Sequence, residues 1–221
     1  MPAPVYRPPP QGELPFLHVS GTLLVVDKPA GLLTVPGRGA DKADCLLARV
    51  QSRFPEAMIV HRLDMSTSGL VVLARNPAAQ RALSMLFQER RVTKRYEALV
   101  DGAWAGAAAG AIDLPLIADW PNRPRQKIDH AVGKPCLTRY RVMDSDAVRG
   151  ISRVELAPVT GRSHQLRVHM EAAGHPILGD ALYGTAASRA KAERLMLHAC
   201  FIEFADPATG ETVRAASAAP F

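Results

Sequence analysis

MIVHRLDMSTSGLVVLARNP, residues 58–77, contains the change of period that decides what kind of fold this chain adopts. Met58 to Asp64 read as a strand that stops at the polar cluster Ser66-Thr67-Ser68-Gly69, and Leu70 to Ala74 read as a second strand. The link is a tight turn, in which Gly69 is free to take positive φ and three hydroxyls are able to bond nearby backbone groups. Asn76-Pro77 then supply an N-cap and a proline at the first helical position. Ala78, Ala82, Leu83, Leu86 and Phe87 continue it as a helix of about four turns.

Upstream, Thr22 to Val26 form an apolar run closed by Lys28-Pro29-Ala30-Gly31, a buried strand and its turn, and Val35-Pro36-Gly37-Arg38-Gly39 make a second turn. Residues 44–53 have helical spacing, with Leu46, Leu47 and Val50 on one face and Asp44 placed to cap. The Pro-rich residues 1–15 read as a loose extension, which leaves 16–221 as a single domain. Downstream, Tyr96 to Val100, Leu137 to Met143, Ile151 to Leu156 and Met196 to Phe204 read as strands. A helix capped by Ser163 runs to Ala173 and stops at Gly174, and another lies near 187–195. Residues 114–135 hold four prolines and no sustained period, so they read as a long, functional loop. Strands and helices interleave without strict βαβ alternation, which predicts an α+β fold with a mixed, mainly antiparallel sheet.

The chain has 221 residues, 48% of them hydrophobic and 22% charged, the composition of a soluble globular protein. At this size folding removes roughly 70% of the unfolded surface from water, so no disulfide or metal is needed to hold the core. Lys and Arg number 27 against 21 Asp and Glu, a formal +6, and this excess suits a polyanionic partner such as nucleic acid. Three scattered cysteines without CxxC spacing fit a reducing cytoplasm and argue against a zinc site. No apolar h-region opens the chain and no apolar run approaches the roughly 20 residues that span a bilayer. The expectation is a cytoplasmic protein with no membrane contact, and a monomer.

Side chains alternate along a strand, so Arg62 and Asp64 are expected on one face and His61 and Leu63 on the other. On those residues alone, a surface ion pair before a turn competes with a catalytic carboxylate. His61 to Gly69 read HRLDxxTSG, which resembles the signature of the RluA family of pseudouridine synthases. Further matching stretches follow in order: Leu24 to Leu32 (LVVDKPAGL), Lys94-Arg95-Tyr96, Thr160 to His169 (TGRSHQLRVH), Gly174 to Asp180 (GHPILGD) and Leu197-His198-Ala199. Val35 to Arg38 and the loop Asp113 to Lys127 are similar to the family's short A-type branch, which modifies both tRNA and 23S rRNA. Position 27 is Asp where many relatives carry Asn. The S4 RNA-binding domain of several relatives is expected to be absent, because only about 20 residues precede the first strand.

The resemblance implies a pseudouridine synthase fold with a catalytic cleft, and no cofactor, since uridine is only rearranged. It assigns Asp64 as the catalytic carboxylate, Arg167 as its guanidinium partner and Tyr96 as the ring that stacks on the target base. Arg62 would enter the RNA stack in place of the expelled uridine, a place that a planar cation suits. In the long loop, Trp120, Arg123, Arg125 and Lys127 suit stacking and phosphate contacts. Arg90, Arg91, Lys94 and Arg95 form a second basic cluster, readable either as RNA contact or as a solvated charge run. The expected substrates are an anticodon stem-loop of tRNA and a hairpin of 23S rRNA. A relative with a single different target, or a non-catalytic RNA-binding module, is the alternative.

Other chemistries lack their residues. No HExxH or Cys/His cluster gathers the seven histidines, so no metal is expected, and GxSxG, GxxxxGK[ST] and GxGxxG are all missing. An aspartate-nucleophile hydrolase of the haloacid-dehalogenase type needs a second Asp two residues after Asp64, where this chain has Ser66.

Overall fold

The structure, a computed structural model, describes residues 6–221. It divides into two compact units, one comprising the chain up to Thr93 together with Ala199–Ala218, the other Lys94–His198 with Ala219–Phe221.

The first unit begins with β1 (Phe16–Val19), β2 (Leu23–Lys28), α1 (Leu46–Gln51), β3 (Met58–Ile59), β4 (Ser68–Ala74) and α2 (Pro77–Gln88). The second contains β5 (Thr93–Asp101), β6 (Ala109–Asp113), β7 (Leu116–Ala118), β8 (Gln126–Ile128), β9 (Leu137–Asp146), β10 (Ile151–Pro158), α3 (Gln165–Ala172) and α4 (Ala186–Ala190). The chain then returns to the first unit through β11 (Leu197–Ala205) and β12 (Thr212–Ala216). This is the expected α+β class. β2 pairs antiparallel with β1 and β4, β11 with β12, and β10 with both β5 and β9, which also pairs β6.

Apolar periodicity explains the first core. Leu23 and Val25 of β2 and Leu70, Val72 and Ala74 of β4, spaced by two, meet Ala79, Leu83 and Leu86 of α2, spaced by three and four. Each such Leu or Val contributes about 1.5–3 kcal/mol through burial. Asn76 caps α2 by accepting the Ala79 N–H at 2.8 Å, with Pro77 next, as the sequence predicts. Gly69, second residue of β4, is at φ 114°, and a Cβ there would run into the Ala199 backbone of β11. Only glycine meets both conditions. In the second unit α3 lays Leu166 and Met170 on Ala98, Val100, Val154 and Leu156.

Several local expectations are corrected. Residues 1–5 lie outside the described residues, but the segment after them is not loose. The Tyr6 hydroxyl donates to Asp44 O and accepts the Leu33 N–H, while Arg49 donates to the carbonyls of Pro9 and Pro10. Cys45, not Asp44, caps α1, because the Asp44 carboxylate is held by Arg49 at 2.8 Å. The strand expected over 58–64 ends at Ile59. The long loop contains the β7–β8 hairpin, whose three-residue strands are too short to show a period. His164 in the left-handed region, not Ser163, opens α3. The helix near 187–195 stops at Ala190, since the Met196 N–H is drawn to Leu178 O and the chain turns extended. β1, β6 and β12 lie where no strand is expected from the sequence. Among the described residues no helix is long and apolar enough to cross a membrane.

Candidate active site

Asp64 sits on a loop between β3 and β4, where His61, Leu63, the Met65 carbonyl and the Thr67 N–H are each held by a hydrogen bond. His61 Nε2 accepts the Val72 N–H at 3.0 Å, and its ring stacks on Phe87 with centroids 4.3 Å apart. A nitrogen that accepts from an amide carries no proton, so the imidazole is neutral with its hydrogen on Nδ1. His61 thereby takes the place of a strand partner where β3 ends. Leu63 is buried, and Thr34 Oγ1 both donates to its carbonyl at 2.7 Å and accepts its N–H at 3.2 Å. Asp64 follows, half-buried, its carbonyl accepting the Thr67 N–H at 3.1 Å to close the turn.

The far side of the turn is lashed from β2. The Met65 carbonyl accepts from Gly31 N at 2.8 Å and from Lys28 Nζ at 3.2 Å, and the same ammonium donates to Leu32 O and Pro29 O. Lys28 is wholly buried, and three carbonyls stand where water would otherwise solvate its ammonium. Arg62 is exposed beside this turn, as is Met65 at 44%. Because residues 61–64 lie outside the ladder, strict alternation does not govern them, although His61 and Leu63 turn inward and Arg62 outward.

The second unit carries Tyr96 and Arg167. Tyr96 stands on β5 opposite Leu156, half-buried against the apolar cluster under α3. Arg167 is buried on α3, with Nε 2.8 Å from Asp180 Oδ2 and Nη2 2.6 Å from Oδ1, a two-pronged pair. Burial alone would push the Asp180 carboxyl up. The hydrogen bonds and charge of Arg167, with the N–H groups of Leu182 and Tyr183, outweigh it and hold the group below the usual carboxylate range. Arg167 is therefore fixed on a helix by a partner that stays ionised.

Tyr183 joins this pair to the hairpin. Its ring lies 5.2 Å from the Arg167 guanidinium and 5.0 Å from that of Arg125, and its hydroxyl accepts the Gln126 N–H at 2.7 Å. The same hydroxyl bonds His164 Nδ1 at 2.7 Å, steadying a non-glycine residue at φ 55°. Arg125 also donates to the Leu182 carbonyl. At the hairpin tip Trp120 is 67% exposed with the Arg123 guanidinium over its ring, and Lys127 lies 3.7 Å from Asp129. In the second basic cluster, Arg91 faces Glu89 and Arg95 faces Glu155, while burial pulls Lys94 down from the usual ammonium range.

Among the described residues no group of His, Cys, Asp or Glu is arranged to hold a metal ion. His169 is wholly buried between Thr138 Oγ1 and Leu114 O, and burial lowers its pKa, which makes it a neutral core histidine. Thr34, His61, Asp180 and Tyr183 were given no role from the sequence. His61 and Asp180 stood inside quoted motifs, but spacing does not show what a side chain reaches.

The residues so placed are a half-buried carboxylate on a braced turn, a buried guanidinium, a strand tyrosine and an exposed basic hairpin. A family model for RNA pseudouridylate synthases matches residues 22–172. The dual-specificity RNA pseudouridine synthase RluA of Escherichia coli (strain K12) is 48% identical over 216 residues, covering 98% of each chain. Its namesake from Yersinia pestis is 52% identical over 183 residues, 83% of this chain and 88% of that one. The solved structure of human RNA pseudouridylate synthase domain containing 1 matches with a TM-score of 0.77 at 33% identity, covering 100% of this chain and 87% of that one. Fold and likeness together define an isomerase that acts on RNA. The chain belongs to the RluA family of RNA pseudouridylate synthases.

Proposed function

We propose that the Asp64 carboxylate carries the isomerisation, within residues 16–221 acting as one catalytic domain. The bond from ribose C1′ to base N1 breaks, the base turns, and C1′ joins C5. Atoms and electrons balance without a partner, so the reaction calls on no cofactor. The carboxylate serves either by attacking sugar or base covalently or by taking a ribose proton. Arg167 is assigned to keep it charged, Tyr96 to stack on the flipped base, and Arg62 to fill the gap left in the RNA. Trp120, Arg123, Arg125 and Lys127 are assigned to the RNA itself, and the protein is taken to act as a cytoplasmic monomer.

For substrates, the curated relatives named for dual specificity support a tRNA anticodon stem-loop and a 23S rRNA hairpin. The observation that carries the assignment of Asp64 is its turn, held from Thr34, Lys28, Gly31 and Thr67 at once. Such bracing is what a group needs if it must meet a reacting atom in one orientation. RNA tritiated at uridine C5 tests it, because pseudouridine formation frees that label. Asp64→Ala should release none while keeping RNA affinity within about threefold, since phosphate contacts dominate binding. Label release by this variant would remove Asp64 from the role.

A further inference from the structure

We propose that Thr34 is a positioning residue for Asp64, and that the segment around Tyr6 reaches the same carboxylate through it; this rests on the reading of Asp64 as catalytic. Thr34 is 3% exposed, and its single hydroxyl bonds both backbone groups of Leu63, the residue before Asp64. A backbone N–H and C=O that face the same neighbour normally pair with a strand. Here β3 has ended at Ile59, so one side chain does the work of a missing strand. With both groups of Leu63 held, the peptide plane entering Asp64 has one orientation, and the Thr67 N–H bond to Asp64 O fixes the plane leaving it.

Thr34 is itself held by its flanks. Its neighbour Leu33 donates its N–H to Tyr6 Oη at 3.1 Å, and its own carbonyl accepts from Leu47 N at the start of α1. Tyr6 in turn donates to Asp44 O, and Arg49 draws in Pro9 and Pro10. A continuous chain of bonds therefore runs from Tyr6 through Leu33 and Thr34 to Leu63 and Asp64, all within the first unit. Tyr6, Leu33, Thr34 and Leu63 add no charge or acid–base chemistry to the reaction, so their contribution is to geometry alone.

The test compares Thr34→Val, which keeps the shape and removes both bonds, with Thr34→Ser, which keeps the hydroxyl. On a short stem-loop RNA, T34V should lose about 10- to 100-fold in kcat, since misplacement by an ångström costs up to about 100-fold, with KM and RNA affinity within about twofold. T34S should stay within about threefold of the parent in kcat. Tyr6→Phe should lower kcat by about threefold at unchanged KM, and it carries the test alone should T34V not fold. Full kcat in T34V, an equal loss in T34S, or a loss that falls on KM overturns the proposal, as does full kcat in Y6F when T34V cannot be measured. Asp64→Ala run alongside separates the two readings. An active D64A sinks the assignment of Asp64, whereas an inert D64A beside a fully active T34V sinks only the role of Thr34.

Discussion

Asp180 shows how one carboxylate can hold a buried cation in place. It is 1% exposed and accepts from two Arg167 nitrogens and two backbone amides, so removing it would take two charge-assisted hydrogen bonds from a buried guanidinium. Asp180→Ala should cost about 3–5 kcal/mol, read from denaturant unfolding. The pH dependence follows from two opposite environments. The Asp180 pKa is depressed in the folded state, so its contribution is full above the unfolded value near 4 and is lost only as pH falls through the lower folded value. His169 is also depressed, but for a base this means that the unfolded chain takes a proton the folded chain refuses. Stability should therefore begin to fall already below about pH 6.5, where His169 titrates when unfolded. Melting temperature against pH should show two acid steps, with His169→Gln removing the upper one and Asp180→Asn shrinking the lower, to which Asp44, Glu56 and Asp129, also held low, add. A single step common to all three proteins would contradict both assignments. A motif makes Asp64, Tyr96 and Arg167 visible in the sequence, whereas it assigns Asp180 and Thr34 no part, because what their side chains reach is set by the folded chain.

At the scale of elements, legibility tracked length and local chemistry. β2, β4 and α2 were read nearly to their ends, since each carries either an unbroken apolar run or a cap with its proline. β1, β6 and β12 escaped because they are edge strands of four or five residues, alternating or mostly exposed, and held by pairing more than by their own pattern. The β7–β8 hairpin escaped for a further reason: its position depends on Tyr183, more than fifty residues further along the chain. That dependence is measurable. Tyr183→Phe keeps the ring between Arg125 and Arg167 but deprives the Gln126 N–H of its acceptor, a loss of about 0.5–1.5 kcal/mol for a part-buried donor. Amide exchange at Gln126 should quicken by about two- to tenfold, with β10 amides little changed. Equal quickening throughout would mean that the hydroxyl supports the whole unit, and no change would mean that the hairpin stands without it.

For the molecule as a whole, net charge was readable at once and sorts the roles of its exposed cations. A formal +6 favours RNA broadly, but much of the surface charge is internally matched, as in Arg153 with Glu97, Arg141 with Glu155 and Arg214 with Glu203. The hairpin differs in that Arg123 lies over an indole with no carboxylate against it among the described residues, while Trp120 is two-thirds exposed. RNA binding there should have two separable components. A phosphate contact releases counterions, so Arg123→Ala should reduce the slope of log affinity against log salt by about 0.7–0.9, besides weakening binding. A stacked base releases none, so Trp120→Ala should cost about 1–3 kcal/mol of affinity at every salt concentration and leave the slope alone. The two residues touch in the free protein, and the double variant should therefore lose less than the sum of the singles. Titrations of a labelled stem-loop between low and moderate salt measure all three quantities. An unchanged slope in R123A, or a slope that shifts in W120A, would take the hairpin out of the RNA interface in the roles given to it.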